Sequence, residues 1–393
     1  MLRAGVGYSV SSSTGDAAAQ AAGAALDQAG LPKAEAALCF ATSAHAGAYP
    51  LMLRVVREHL KTQNVVGCSA RGVIATGREM ENGAAIVIMA LGADALRARR
   101  VFVPGLREHP RKTAVKLAQS VKPLSGKTNL LLLFPDSYNV NPALLLPALS
   151  AELPGVHLVG GGATEDGSTG QTFQFCGDVV SSDSLAALLL SGDFEVDIAV
   201  SVAAQMLGRS HRVTGAQGNF LLELDGQPAL DVFLREIGPM ASDLRRAVSL
   251  VNICVSVDPR DERLERGRFV LRNIVGLSAE HRFLAVAHPL SAGDLVGFAL
   301  REPGHAREDL SAALEAASGK HNGRPPAFGL YFDCVARGTN FYRVADHDVS
   351  YIHQALGVFA LAGFFTGFEI GPLAMTTHAL QYSGVLALAF EGS

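Results

Sequence analysis

The stretch "NVVGCSARG" (64–72) sets a thiol, Cys68, and a hydroxyl, Ser69, directly after two valines and Gly67, with Arg71 close behind. A nearby guanidinium stabilises a thiolate, so Cys68 is a candidate nucleophile or ligand-lining residue. The position also suits a side chain that is merely small, because free cysteine commonly acts as a compact hydrophobe. A second group lies toward the C-terminus. "FDCVARG" (332–338) puts Cys334 and Arg337 at the end of an apolar strand, and "GFEIGP" (367–372) puts Glu369 at the end of another. If those strands are neighbours, Arg337 offers a bidentate fork to a carboxylate and Glu369 accepts an ammonium, a pair that fits a zwitterion such as an amino acid. The alternative is that the two form a structural salt bridge with each other.

Other patterns fare less well. "GATEDGST" (162–169) has the glycine spacing of a phosphate loop but lacks its lysine, and Glu165 with Asp166 would repel a phosphate. There is no GxGxxG fingerprint, no GxSxG elbow and no HExxH pair. His347 and His353 lie six apart on an expected helix over 346–356, a poor spacing for one face, and read as solvated surface histidines rather than metal ligands. His281 and His288 would point to opposite faces of a single strand, so nothing in their spacing supports an iron ligand. "DPRDERLERGR" (258–268) reads as a solvated loop.

These residues must be held by a framework, and the composition is that of a large-cored α/β protein. Of 393 residues 49% are hydrophobic and 18% charged, which excludes a disordered chain. A net charge of −4 argues against nucleic acid as a partner. Residues 1–10 lack the pattern of a signal peptide, and the apolar run 355–365 is too short to span a bilayer. Five cysteines at 39, 68, 176, 254 and 334 form no CxxC pair, which suits a reducing cytoplasm.

An internal repeat organises the first half. Leu2-Arg3-Ala4 returns 94 residues later as Leu96-Arg97-Ala98. At that offset the helical stretch 16–29 falls on 111–123, "ALCFATS" on "LLLFPDS", and the amphipathic segment 50–60 on 144–154. "VVGCSA" falls on "VGGGAT", placing Gly67 on Gly161 and Cys68 on Gly162. Each copy ends in a strand, "AAIVIMAL" or "SLAALLLS". Both copies thus share smallness after a buried strand, so the architecture does not require a thiol at position 68. A looser third copy is expected to begin with a strand at 294–302. A helix over 306–318, a buried strand over 327–338, a helix over 346–356, one long strand over 358–372 and a last strand over 382–390 follow. Residues 195–293 fit no copy; they alternate like strands and carry one helix over 228–237 with Pro228 at its start. The expected fold class is mixed α/β: repeated strand–helix–strand–helix–strand units forming mixed sheets, with a strand-rich C-terminal half.

The ordered set "GVGYS", "VVGCSARG", "LVGGGATED", "GNFLLELDGQPALDVF", "FDCVARG" and "GFFTGFEIGP" resembles the FIST proteins (F-box and intracellular signal transduction). The resemblance spans nearly the whole chain, with a FIST N-like part over 1–195 that holds the two tandem repeats and a FIST C-like part over 205–390. It implies a non-catalytic cytoplasmic sensory module that binds a small ligand, with amino acids the usual proposal. Such a module signals to a separate partner, a histidine kinase or a cyclic-di-GMP enzyme, and a homodimer would be in keeping with signalling in trans. No cofactor is required, although some members are haem proteins that sense nitric oxide, which is the alternative function. A Cys68-dependent acyl transfer is a second alternative. The site residues carried over are Gly67, Cys68, Ser69, Gly161, Gly162, Cys334, Arg337 and Glu369; no catalytic residue and no metal ligand is expected. Two positions depart from the family pattern: Phe368 stands before Glu369 where glycine is usual, and Ala336 stands before Arg337. A bulky Phe368 would narrow the pocket or re-aim the carboxylate.

Overall fold

The computed structural model describes residues 2–121 and 126–392. Apolar residues run almost without a break through "ALCFAT" or "LLLLF", which marks strands buried on both faces. The chain builds three α/β units from such strands. The first contains β1 (Arg3–Ser9), α1 (Thr14–Ala29), β2 (Ala36–Thr42), α2 (Tyr49–Leu60), β3 (Val65–Ala70), the hairpin β4 (Val73–Ala75) and β5 (Arg78–Met80), and β6 (Ile86–Gly92). The second repeats this order: β7 (Arg97–Pro104), α3 (Pro110–Val121), β8 (Thr128–Pro135), α4 (Pro142–Glu152), β9 (His157–Gly161), the hairpin β10 (Gln174–Cys176) and β11 (Val179–Ser181), and β12 (Ser184–Gly192). The helix expected over 111–123 is α3, although Lys122 and Pro123 lie outside the described residues.

The third unit opens with β13 (Phe194–Val202), not with the strand expected at 294–302. Between β13 and the helix that should follow it lies an inserted region. This comprises β14 (Gln205–Gln217), β15 (Phe220–Leu224), β16 (Gln227–Pro228), α5 (Ala229–Ile237), α6 (Leu244–Leu250), β17 (Val251–Ser256), β18 (Phe269–Ser278), β19 (Phe283–Val286) and β20 (Leu295–Leu300). Its strands form a seven-stranded sheet of their own, and β20 pairs there with β14 and β17. The unit resumes with α7 (Pro303–Lys320), β21 (Phe328–Cys334), α8 (Gly338–Tyr342), α9 (His347–Leu356), β22 (Ala360–Thr366), the hairpin β23 (Glu369–Leu373) and β24 (Thr376–Leu380), and β25 (Ser383–Glu391). The long strand expected over 358–372 is therefore two strands, β22 and β23, in different sheets. The chain breaks at Gly367 and Phe368 because β23 leaves its own unit to pair with β9.

That exchange is cyclic. Hairpin β10–β11 of the second unit extends the sheet of the first through β3, β23–β24 of the third extends the second through β9, and β4–β5 of the first extends the third through β22. Each six-stranded sheet thus carries an edge donated by another unit, which ties the three together through backbone hydrogen bonds. Alternate side chains of β2, β8 and β21 serve two cores. Phe40, Phe134 and Phe332 point to a shared interior, where Phe40 and Phe134 meet edge-on at 5.4 Å and Phe364 lies 4.8 Å from Phe40. Cys39, Leu133 and Tyr331 point outward under each unit's own helices.

Glycines equivalent in the three units let these strands meet. A Cβ on Gly67 would lie 1.8 Å from the carbonyl oxygen of Cys39, one on Gly160 2.0 Å from that of Leu133, and one on Gly363 1.7 Å from that of Tyr331. Their partners in the parallel register are those same residues. Gly67 therefore corresponds to Gly160, not to Gly161, and Cys68 corresponds to Gly161. The run Gly160-Gly161-Gly162 hides the one-residue shift from the sequence. Among the described residues no helix is long and apolar enough to cross a membrane.

Candidate functional site

Of the residues singled out from the sequence, six meet where β3, β9 and β22 end. Ser69 Oγ donates to the Thr164 carbonyl at 3.0 Å and accepts from Phe173 N at 2.9 Å. Gly162 N donates to Phe368 O and its carbonyl accepts from Gly367 N. Gly161 pairs with Glu369 across the strands, and a Cβ there would lie 2.3 Å from Thr366 Cγ2. Thr164, which the sequence reading passed over, joins all three units: its Oγ1 donates to Phe365 O at 2.6 Å and accepts from Arg71 N at 2.9 Å. Gly67, Cys68, Ser69, Gly161, Gly162 and Glu369 are thus packed into an interlocked, buried junction.

The chemistry of that junction is subdued. Cys68 is fully buried on the shared interior face, and burial pushes its thiol well above the ordinary value, with Cys39 adding to the rise. Glu369 accepts from Thr366 Oγ1 at 2.6 Å and from the hydroxyl and N–H of Ser383. Burial raises its carboxyl to about 7, against the opposing pull of those donors.

Cys334 and Arg337 lie beside it in a second buried cluster. Cys334 is held protonated by burial. Arg337 has no exposed side-chain surface; it pairs with Asp333 at 2.8 Å and Asp348 at 2.7 Å. Asp348 also accepts from Tyr331 at 2.7 Å and contacts His347 Nδ1 at 2.7 Å. Among the described residues Arg337 forms no ion pair with Glu369: the two aspartates take its Nε and Nη2, and its Nη1 is buried without a partner. Asp333 lies four residues before Arg337, within the quoted motif itself. His347, expected on the surface, is buried and stacks on Tyr342 with ring centroids 3.6 Å apart. Burial drives Asp333 well above its ordinary value. On Asp348 the same burial is overcome by Arg337, with His347 and Tyr331 assisting, so its carboxyl falls below the ordinary value.

A roomy cavity lies next to this junction. A cleft of about 790 Å³ opens between the start of α4, the inserted sheet at β17 and β18, and the turn between β22 and β23. None of the eight residues carried over lines it, but Gly367 and Phe368, immediately before Glu369, do. Its walls are largely apolar, as ligand sites are: Val255, Val257, Val270, Leu146 and Phe368 contribute. Polar atoms converge on it from three elements. Arg272 reaches from β18, where Val270 and Leu271 are buried. Its guanidinium donates to the carbonyls of Leu271 (2.8 Å) and Ala379 (3.1 Å). Among the described residues it has no carboxylate partner, and burial lowers its pKa to about 10, which leaves it charged at neutral pH. His288 and His378 flank it. Burial first and Arg272 second hold both below the ordinary imidazole value. Ser137, just past β8, also lines the cleft, but its buried Oγ, without a partner among the described residues, lies against Gly162 and Gly367.

In the sequence, "RFVLRNIVGLS" (268–278) shows only strand-like alternation. An arginine between buried apolar residues, with no acid nearby in the strand, was the signal available in it. Ser137, His288 and His378 come from segments too distant in sequence to be grouped without the fold.

Comparison with known proteins agrees with this architecture. The FIST N domain model matches residues 35–227 and the FIST C domain model residues 229–372. An uncharacterized protein of Mycobacterium tuberculosis is 31% identical over 389 residues, covering 98% of this chain and 99% of that protein. Another, of Mycobacterium bovis, is 30% identical over 389 residues, with 98% of each covered. Among solved structures a cyanuric acid hydrolase aligns over 100% of both chains at 10% identity with a TM-score of 0.35, too low to carry an argument. The chain belongs to the FIST family, its FIST N domain followed by a FIST C domain.

Proposed function

We propose that this protein is a non-catalytic sensory module that binds a small ligand in the Arg272 cleft and passes the signal to a separate partner. The observation that carries the reading is an apolar cleft of about 790 Å³ holding a guanidinium without a carboxylate partner among the described residues. A folded chain keeps an uncompensated cation at a cavity wall at some expense in stability, and a ligand recovers it on binding. The site lies between the second unit and the inserted sheet, so occupancy can bias how those two parts pack. The buried, protonated Cys68 supports a binding role over acyl transfer, since the thiolate is the nucleophile. A histidine kinase or cyclic-di-GMP enzyme in the cytoplasm, engaged by a homodimer, is the partner class carried over from the family resemblance.

Calorimetry and thermal-shift screening of the full chain test the reading. A ligand that raises the melting temperature should lose its effect in Ala143→Trp, which fills the cleft from an exposed position at the start of α4. Stabilisation that survives this substitution would place the ligand elsewhere.

One observation favours a second reading, a haem in the same cleft. His288 has no hydrogen-bond partner for its ring nitrogens among the described residues, whereas His378 Nε2 is engaged by Thr376 at 2.6 Å. His288 would then ligate the iron and Arg272 would pair with a propionate. A Soret band in protein expressed with haem available, lost in His288→Ala, would establish it; colourless protein would remove it.

A further inference from the structure

Resting on the cleft as the ligand site, we infer that its ligand is a monoanionic organic acid with an apolar aryl or branched alkyl body, and not a zwitterionic amino acid. Among the described residues Arg272 is the only one lining the cleft that carries a fixed charge, and the lining holds no aspartate, glutamate or lysine. Two of the five N–H donors of Arg272 are engaged by backbone carbonyls, and the rest of the fork is available to a carboxylate.

The opposite wall adds donors of the same sense. Helix α4 begins there with Asn141, Pro142 and Ala143 at the cleft, and the Asn141 side chain makes no capping bond. The positive end of the helix dipole therefore faces the same space as the guanidinium.

Among the described residues the lining offers an ammonium ion no carboxylate; its neutral acceptors, the buried and unpartnered Gln381 Oε1 among them, carry no compensating charge. The acids closest to the walls are engaged. Asp261 accepts from Ser256 Oγ at 2.6 Å but is paired with Arg268. Asp136 receives Tyr138 N, Asn139 Nδ2, Thr172 Oγ1 and Asp183 N. Glu165 accepts from Tyr138 Oη, Gly167 N and Thr169 N outside the lining. An ammonium next to Arg272 would meet like charge in a poorly hydrated space. One fixed positive charge balances one negative charge, which favours a carboxylate over a dianionic phosphate. Val255, Val257, Val270, Leu146, Pro289 and Phe368 leave an apolar surround for the rest of the molecule.

Matched compounds on one scaffold test this: 3-phenylpropanoate, phenylalanine and phenethylamine, with 4-methylpentanoate, leucine and isoamylamine as the alkyl series. Each is titrated calorimetrically into the full-length wild type, Arg272→Gln and Ala143→Trp. At least one acid should bind, its amino acid should bind at least about tenfold more weakly, and its amine not measurably. Arg272→Gln should weaken the acid by about ten- to a hundredfold, the range for a charge-assisted hydrogen bond. If an amino acid or amine binds as tightly as the acid and is indifferent to Arg272→Gln, yet is abolished by Ala143→Trp, the charge assignment is overturned and the cleft stands. If no compound binds, or binding survives Ala143→Trp, the cleft reading falls and this inference falls with it.

Discussion

Two arginines of this chain are set into strands or strand ends at the margin of the same junction, and their surroundings are opposite. Arg337 is completely buried, gripped by Asp333 and Asp348, with tyrosine and histidine closing the network around it. Arg272 has backbone carbonyls on one side and open space on the other. The motif around Arg337 attracts attention in the sequence, while the one around Arg272 looks like an ordinary strand. The difference shows that a buried charge already matched by carboxylates holds structure, whereas one facing a cavity unmatched has capacity left for a ligand.

Breaking the matched arginine should have the largest effect. Arg337→Met leaves Asp333 and Asp348 buried without their cation, and a broken buried pair typically costs about 3–5 kcal/mol. Urea denaturation should show that loss. An unchanged midpoint would mean that the cluster relaxes without it, and the contrast with Arg272 would lose its basis.

Close packing around the junction makes the next comparison. Gly363→Ala would push a methyl group to 1.7 Å from the Tyr331 carbonyl oxygen, against rigid backbone. A loss of about 3 kcal/mol is expected from such overpacking. Ala143→Trp, at the cleft wall, should leave the denaturation midpoint nearly unchanged. Equal losses in the two variants would show that the cleft wall is packed as tightly as the junction.

A smaller effect depends on pH. Hairpin β4–β5 inserts Glu79 beside the Arg337 cluster, where its carboxylate accepts from Val349 N at 3.0 Å. Burial, Asp348, Glu81 and Asp346 raise its carboxyl to about 8, the Val349 bond opposing them. Glu369 is raised to about 7. A carboxyl raised above its unfolded value binds its proton more tightly in the folded state. Its contribution is therefore full below the unfolded pKa and is lost as pH rises through the folded one. Stability should accordingly decline between about pH 5 and pH 8. Glu79→Gln keeps the acceptor oxygen and should recover about 2 kcal/mol of the loss at pH 8.5. Denaturation midpoints at pH 6 and 8.5 check this; parallel declines in both proteins would exclude Glu79 as the source.

How much of this was legible beforehand follows from which interactions are local. The 94-residue repeat exposed the order of strands and helices in the first two units, because apolar periodicity is a property of neighbouring residues. The hairpin exchange was not legible, since Val73 and Ile74 find Phe364 and Gly363 across nearly the whole chain. The start of the third unit was hidden for a related reason. β13 has mostly half-buried residues, as does β7 at the start of the second unit, and about a hundred inserted residues separate it from its helix. The more apolar β20 therefore took its place in the reading. Within the site, Arg337 is read correctly as following a buried strand, but the carboxylate that takes one side of it arrives from α9, and Glu369, expected at the end of a strand, opens β23 instead. Arg272 could be read only as a strand residue until its surroundings were known.

The smallest expected effect on stability belongs to the unmatched arginine. Arg272→Gln removes a half-buried charge that has no carboxylate partner among the described residues, so no opposite charge is stranded. Glutamine retains donors for the Ala379 carbonyl and keeps most of the side chain's apolar contact. The change in unfolding free energy should stay within about 1 kcal/mol, as for substitutions that break no matched network. Relief of an uncompensated cation can even make it stabilising. A loss as large as that of Arg337→Met would mean that Arg272 anchors the strand through its two backbone contacts. In that case the distinction between a matched and an unmatched arginine would describe their partners without describing their roles.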